Sequence, residues 1–278
     1  MTRASSVGFT EVADGVYVLR YPVLDVNVTL VTGDGHALLV DTLSTDRQAR
    51  QLAEAARRIT RAPWTIVNTH HHFDHCFGNA TLVSDGQDIW AEEETVAVLS
   101  QQAETVRRYA YEAYAESNPD FATELAQVRV LPPGRVVRHE ATVTVGGLPV
   151  ILRHLGRGHT AGDLVVQVPD ADVVVAGDLV EQGAPPSFED AYPLEWPETV
   201  ARLRSLLGPD TVVVPGHGAV VDQEFVARQH AELTELAWLI RDAHRVGAPV
   251  ETVVDRAPFD RQTTLTAARR GYRQLEQG

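Results

Sequence analysis

The segment Asn68-Thr69-His70-His71-His72-Phe73-Asp74-His75 sets four potential metal ligands, His70, His72, Asp74 and His75, within six positions. It continues directly from Thr65 to Thr69, a β-branched run that reads as a buried strand. In a loop at a strand end, alternate side chains can converge on two neighbouring points. Four ligands from one loop do not close two metal shells, so a metal site here demands further histidines and carboxylates at the ends of other strands. Such positions exist. Gly158-His159-Thr160-Ala161-Gly162-Asp163 follows a strand ending near His154, Ala176-Gly177-Asp178 ends the run Val173 to Ala176, and Val214-Pro215-Gly216-His217-Gly218 ends Thr211 to Val214. Glycines stand beside each of them, as a backbone that turns sharply to aim a ligand inward requires.

Upstream, Val26 to Thr32 and Ala37 to Val40 also read as buried strands. Thr45-Asp46-Arg47-Gln48 fits a capping box that opens an amphipathic helix over 45–60, with Ala49, Leu52, Ala53, Ala56 and Ile59 on one face. Strand, helix, strand is an α/β signature. Downstream, Glu92-Glu93-Glu94 opens a helical insertion at about 92–127. Its first helix runs to about Ser117, where Asn118-Pro119 stops it, and a short helical piece follows from Phe121 to Gln127. Strands return at Arg135 to Arg138, Ala141 to Val145, Leu148 to His154 and Leu164 to Val168, and helices at 224–245 and 261–276 form a C-terminal region of about 224–278. Residues 181–197, rich in proline, aromatic and acidic side chains, read as a loop over the site. With no repeat, low-complexity tract or long linker, residues 1–278 are expected to form one domain.

Composition removes whole classes of chemistry. The 278 residues carry 24 basic side chains, all of them arginine, against 38 acidic ones, for a net charge of −14. Without lysine there is no Schiff-base aldolase, no PLP attachment and no Walker-A loop. The single cysteine, Cys76, excludes a disulfide framework, a Cys-x-x-Cys motif, a cysteine-held zinc finger and a protein-bound iron–sulfur cluster. The acidic balance disfavours nucleic acid, and no apolar run approaches the ~18 residues of a membrane span. No secretory signal is visible in residues 1–11, so the expectation is a cytoplasmic protein with a small-molecule substrate and no nucleic-acid or membrane partner. The oligomeric state is left open. Ser187 has no Gly-x-Ser-x-Gly context, and Gly33-x-Gly35 lacks the third glycine of a dinucleotide fingerprint.

The ordered set His70-x-His72-x-Asp74-His75, His159, Asp178 and Gly216-His217 resembles the motifs of the metallo-β-lactamase superfamily, over roughly residues 12–220. The resemblance implies an α/β fold, a four-layer αββα sandwich with the metal site at one edge of the paired sheets, here with a helical insertion and C-terminal helices. It also implies one metal held by His70, His72 and His159, a second held by Asp74, His75 and His217, and Asp178 bridging both. Asp41, ending the strand Leu38 to Val40, matches an aspartate that supports the ligands in that family. Leu43 stands where the family often has glycine.

Nitrogen and oxygen ligation suits two zinc ions, and also iron or manganese. Two metals sharing one oxygen lower the pKa of water toward roughly 7, so the expected reaction is attack by a bridging hydroxide, with Asp74 and Asp178 as its catalytic carboxylates. Asp178 is typical of the thioesterase, lactonase and phosphodiesterase branches, which points to a small ester, thioester or lactone as substrate. A β-lactamase-like amide hydrolase and a phosphodiesterase on the same site are alternatives, and a metal-containing sensor with little turnover is an alternative of another class. Tyr192 and Trp196 in the 181–197 loop are the expected substrate contacts. Of Tyr109, Tyr111 and Tyr114, core packing is the plainer reading and pocket lining the alternative. His71 is expected to point away from the metals, Cys76 to pack, and Asp163 to hold the turn that carries His159.

Overall fold

Alternation along the strands decides which face each strand gives to which layer. In the computed structural model, which describes residues 7–84 and 87–277, Leu38 and Val40 face a core between two halves of the sheet, while Leu39 between them faces helices. The first half contains β1 (Thr10–Ala13), β2 (Val16–Tyr21), β3 (Val26–Gly33), β4 (His36–Val40), β5 (Trp64–Val67), β6 (Ile89–Glu92) and β7 (Arg135–Val137). The second contains β8 (Glu140–Val145), β9 (Leu148–Arg153), β10 (Val165–Val168), β11 (Val173–Glu181) and β12 (Val212–His217). Their ladder runs β7-β6-β5-β4-β3-β12-β11-β10-β9-β8, with β2 also on β3 and β1 on β2. The halves are joined by one residue pair, Val26 opposite His217, and fold over each other around it. Val31, Val40 and Val67 of the first half share a core with Val143, Leu152, Val175 and Val214 of the second.

Helices cover both outer faces. On the first half, α1 (Asp46–Ile59) buries Ala49, Leu52 and Ala56 against Leu30, Leu39 and Ile66. Its start is as predicted from Thr45 to Gln48: Thr45 Oγ1 accepts from Gln48 N (3.3 Å), and Gln48 Oε1 accepts in return from Ser44 N (3.1 Å). Beyond β5 come the single turns α2 (Phe73–Cys76) and α3 (Asn79–Leu82). The insertion holds α4 (Glu93–Gln101), α5 (Ala103–Tyr114) and α6 (Pro119–Gln127). Where the sequence predicts one helix from Glu92 to Ser117, the chain breaks at Gln102 (φ −125°, ψ 17°), with no glycine or proline to announce it. On the second half, α7 (Trp196–Arg204), α8 (Gln223–Arg245) and α9 (Arg261–Gln277) pack Val200, Leu236, Ile240 and Ala267 against Val174, Ala176 and Val213.

Helix, sheet, sheet, helix is the αββα layering expected. Three strands escaped the sequence reading: β1, β2 and β6, the last lying where only a helix start is legible at Glu92. Residues 1–6, on which the reading of the N-terminus partly rests, and Gly278 lie outside the described residues. No helix among the described residues is long and apolar enough to cross a membrane.

Candidate metal centre

The histidine segment is pinned from beneath by a buried amide network. Asn68 and Asn79 exchange side-chain hydrogen bonds of 3.0 and 2.7 Å, and Asn68 Nδ2 also donates to His75 O (3.2 Å). His70 and His72 sit in the loop after β5, whereas Asp74 and His75 lie on the α2 turn, so the second pair is presented by a helical turn instead of by loop alternation. His159 follows β9 on a turn held by Asp163, whose carboxylate accepts from Thr160 N and Oγ1 (2.6–3.1 Å). That is the structural role expected of Asp163, and burial pushes its pKa up to about 7. His217 ends β12.

Asp178 lies inside β11 and not at its end. The strand register shifts around Gly177, whose φ of +54° suits glycine, and the break turns Asp178 into the site. Gly216 on β12 is required for a different reason: a Cβ there would stand 1.7 Å from Asp178 Oδ1.

Two groups of side chains result. The donor atoms of His70, His72, His159 and Asp178 lie within 4.8 Å of one another, and so do those of Asp74, His75 and His217. Asp178 stands between them: Oδ2 is 3.4 Å from His159 Nε2 and 3.2 Å from His217 Nε2, while Oδ1 is 3.2 Å from His75 Nε2. His72 Nδ1 and His159 Nε2 are 2.9 Å apart, His75 Nε2 and His217 Nε2 3.4 Å. His70 Nε2 is buried without a hydrogen-bond partner, and so is Asp178 Oδ1. Buried polar atoms left without partners are costly, and lone pairs of this kind converging on two points fit metal ions.

The far nitrogen of each ring faces an oxygen. His75 Nδ1 is 2.8 Å from Asp41 Oδ2, His217 Nδ1 2.7 Å from Leu24 O, His72 Nε2 3.1 Å from Asp190 Oδ1, His70 Nδ1 3.1 Å from Thr69 Oγ1 and His159 Nδ1 3.6 Å from Glu181 Oε1. The four contacts within hydrogen-bond reach fix the tautomer that turns the other nitrogen toward a metal, whereas His159 Nδ1, 3.6 Å from Glu181, makes no hydrogen bond. Asp41 also accepts from Thr69 N and Oγ1, both at 2.8 Å. It is held at φ 69°, and Leu43 two residues on at φ 67°, so the turn where the family often has glycine keeps its left-handed backbone with a fully buried leucine in place.

Electrostatics divide the histidines. Burial would lower all of them, but Asp178 and Asp74 outweigh it at His217, pushed up to about 11, and together with Asp41 at His75, at about 9. At His72 the Asp190 carboxylate leads, again to about 9. Burial prevails at His159, lowered to about 4, and at His70, held well below its ordinary value. Asp178 is held well below the usual carboxylate range, because the four surrounding histidines outweigh its burial. The Cys76 thiol is pushed well up by burial, with Asp41 and Asp74 adding to it, and its Sγ lies 3.1 Å from His72 O, so it packs and offers no thiolate.

A cavity of about 910 Å³ opens over both groups, between the insertion and the 181–197 loop. Tyr192 lines it, as do Tyr109 and Tyr114, while Tyr111 does not. Trp196 departs from expectation. It is fully buried at the start of α7, donates Nε1–H to Leu179 O (3.2 Å) and sets its ring against that of His159 at 5.7 Å, so it backs the site instead of lining the cavity. His71 belongs to neither group; it lies 3.2 Å from Asp190 Oδ2, and its donor atom, one of His72 and one of Asp190 lie within 4.8 Å of one another. Asp190 and Glu181 are functional candidates that the sequence reading passed over: single acids in a weakly periodic stretch have no spacing to mark them.

A family model described as the metallo-beta-lactamase superfamily matches residues 21–217. The chain belongs to that superfamily. It is 23% identical over 227 residues to a metallo-beta-lactamase type 2 of Bacteroides fragilis, covering 77% of this chain and 80% of that protein. It is 28% identical over 206 residues to a hydroxyacylglutathione hydrolase of Brucella anthropi, covering 70% of this chain and 66% of that one. Among solved structures, the stereoselective inverting sec-alkylsulfatase of Pseudomonas sp. superposes with a TM-score of 0.76 at 17% identity, over 96% of this chain and 50% of that one, which speaks to the fold. The chain thus spans about two-thirds of one relative and half of another. As a member of the superfamily it is a metal-dependent hydrolase.

Proposed function

We propose that this chain is a dinuclear metallohydrolase, with zinc as its metal, that cleaves a small ester, thioester or lactone in the cytoplasm. His70, His72 and His159 would hold one ion, Asp74, His75 and His217 the other, with Asp178 shared. The observation that carries this reading is the placement of Asp178, whose two carboxylate oxygens face histidines of both groups within 3.2–3.4 Å. When bound, the metal pair supplies Lewis acidity toward the scissile carbonyl and makes hydroxide available at neutral pH.

The chain's own residues do the rest. Asp74 Oδ2, 3.5 Å from His217 Nε2 and 3.6 Å from His75 Nε2, orients the attacking water and takes up or returns its proton. Asp41 keeps His75, and Asp190 keeps His72, in the tautomer that binding requires. Similarity to a hydroxyacylglutathione hydrolase supports acyl chemistry, and the net charge of −14 disfavours polyanionic substrates.

A substrate panel run with and without chelator tests the reading. At least one small thioester, lactone or activated ester should be hydrolysed faster than bis(p-nitrophenyl) phosphate or a cephalosporin, and chelator should abolish the activity. Chelator-sensitive phosphodiester or β-lactam hydrolysis alone would transfer the reading to those substrates. Silence across the panel would favour a sensor.

A further inference from the structure

The insertion packs Leu99 of α4 and Ala110 of α5 into a core with Phe121 and Leu125, with Val106 and Tyr114 against it, and the edge of these helices beside that core borders the cavity. Val98 on α4 and Val106, Tyr109 and Ala113 on α5 line the space over the metal-ligand groups, together with the polar Glu94, Gln102 and Thr105 of the same segment. Phe73, next to Asp74, and Tyr114 extend the same wall. Tyr109 is 54% exposed. Its hydroxyl reaches across the cavity to Glu189 Oε2 of the 181–197 loop (3.3 Å), so the wall is tied to the opposite side instead of collapsing onto it. A volume of about 910 Å³ lies near the upper end of the roughly 300–1,000 Å³ typical of small-ligand sites, far more than an acetyl group fills.

We propose that this wall is the acyl-chain subsite of the enzyme, and that its substrates carry a medium-length apolar acyl group. The inference rests on the acyl reading above and adds its substrate class. In hydrolysis of an ester or thioester, water adds its oxygen to the carbonyl carbon and the bond from that carbon to the leaving oxygen or sulfur breaks. The alcohol or thiol leaves with a proton and the acyl arm leaves as the carboxylate, so both products need a path to water; an apolar acyl arm is the part that gains from lying against apolar side chains while it is bound. The arm is therefore the part that lies along Val98, Val106, Tyr109 and Ala113. Burying a methylene is worth ~0.8 kcal/mol, or about fourfold in kcat/KM.

The test is a series of thioesters of one thiol, from acetyl to decanoyl, on the metal-loaded wild-type enzyme. We expect kcat/KM to rise about two- to fourfold per methylene up to about eight carbons and then level off. A flat or falling series overturns the inference while leaving acyl hydrolysis standing. No turnover of any member, with chelator-sensitive phosphodiester hydrolysis intact, overturns both. In Ala113→Trp, which fills the groove, the octanoyl-to-acetyl ratio of kcat/KM should fall at least tenfold. A ratio unchanged from wild type in a folded variant assigns the arm elsewhere and overturns the inference, whereas a general loss of activity would lower both substrates together. Should Ala113→Trp fail to fold, the wild-type series decides alone.

Discussion

Asp178 and Cys76 both lie in the histidine cluster, Asp178 against the rings of His70, His75, His159 and His217 and Cys76 against the backbone oxygens of His71 and His72, and they differ in what they can do there. Asp178 faces four imidazoles and is held far on the ionised side, while Cys76 is an un-ionised thiol behind them. Asp178→Asn keeps the shape and removes the charge, so metal affinity and turnover should fall by about 100-fold or more, beyond the 10–100-fold typical of a supporting residue. Cys76→Ala should keep metal content and most activity. Metal analysis and kcat/KM on the two variants check this. Loss of activity in Cys76→Ala with normal metal content would point to a cysteine nucleophile. The histidines yield a pH prediction as well. In the metal-free protein His72 and His75, at about 9, and His217, at about 11, are protonated at pH 7.5, and only the neutral ring binds a metal. Metal uptake should therefore release protons, and apparent affinity should climb as pH rises toward 9. Zinc titrations by calorimetry in two buffers of different ionisation enthalpy read the release directly, and heats that do not depend on the buffer contradict it.

The 181–197 loop owes its course to an element far along the chain. From α9, Arg270 donates Nε–H to Ala191 O (3.0 Å) and Nη2–H to Asp190 O (2.5 Å), and Gln274 Oε1 accepts from Leu194 N (3.3 Å). Asp190 is thereby set against His71 and His72. Arg270→Ala should lower stability by about 1–3 kcal/mol and expose the loop to proteolysis between residues 182 and 195. Limited digestion and denaturant unfolding measure this, and a wild-type cleavage pattern would remove α9 from the account. What the sequence discloses follows the same division. Ligands packed into six residues, or set beside glycine at strand ends, are legible because chemistry and backbone geometry leave a local mark. Asp190 is not, since its histidine partners lie over 100 residues away in the chain; nor is Glu181, whose carboxylate accepts from Ser187 N in an irregular stretch, and Trp196 misleads because an aromatic in a loop can face either way. The break at Gln102 has no local breaker, and Thr10 to Tyr21 lacks the dense β-branched run that marks β3 and β4.

At the scale of the molecule, the candidate centre draws on both halves of the sheet. His70, His72, Asp74 and His75 follow β5 of the first half, while His159, Asp178 and His217 belong to the second, and the halves meet in the ladder at Val26 and His217 alone. Two ions in these groups would tie the halves together where the backbone pairing is thinnest. The α/β class is legible from the strand and helix order and the αββα layering from the family resemblance that the motifs carry, but the fold of one ladder onto itself is not, because it depends on a single pair 191 positions apart in sequence. Everything proposed for the site requires that both groups bind. Elemental analysis of the purified protein, after incubation with zinc and removal of the excess, tests this most directly. Two equivalents of metal per chain are predicted; a reproducible single equivalent, unchanged by added zinc, would contradict the dinuclear centre.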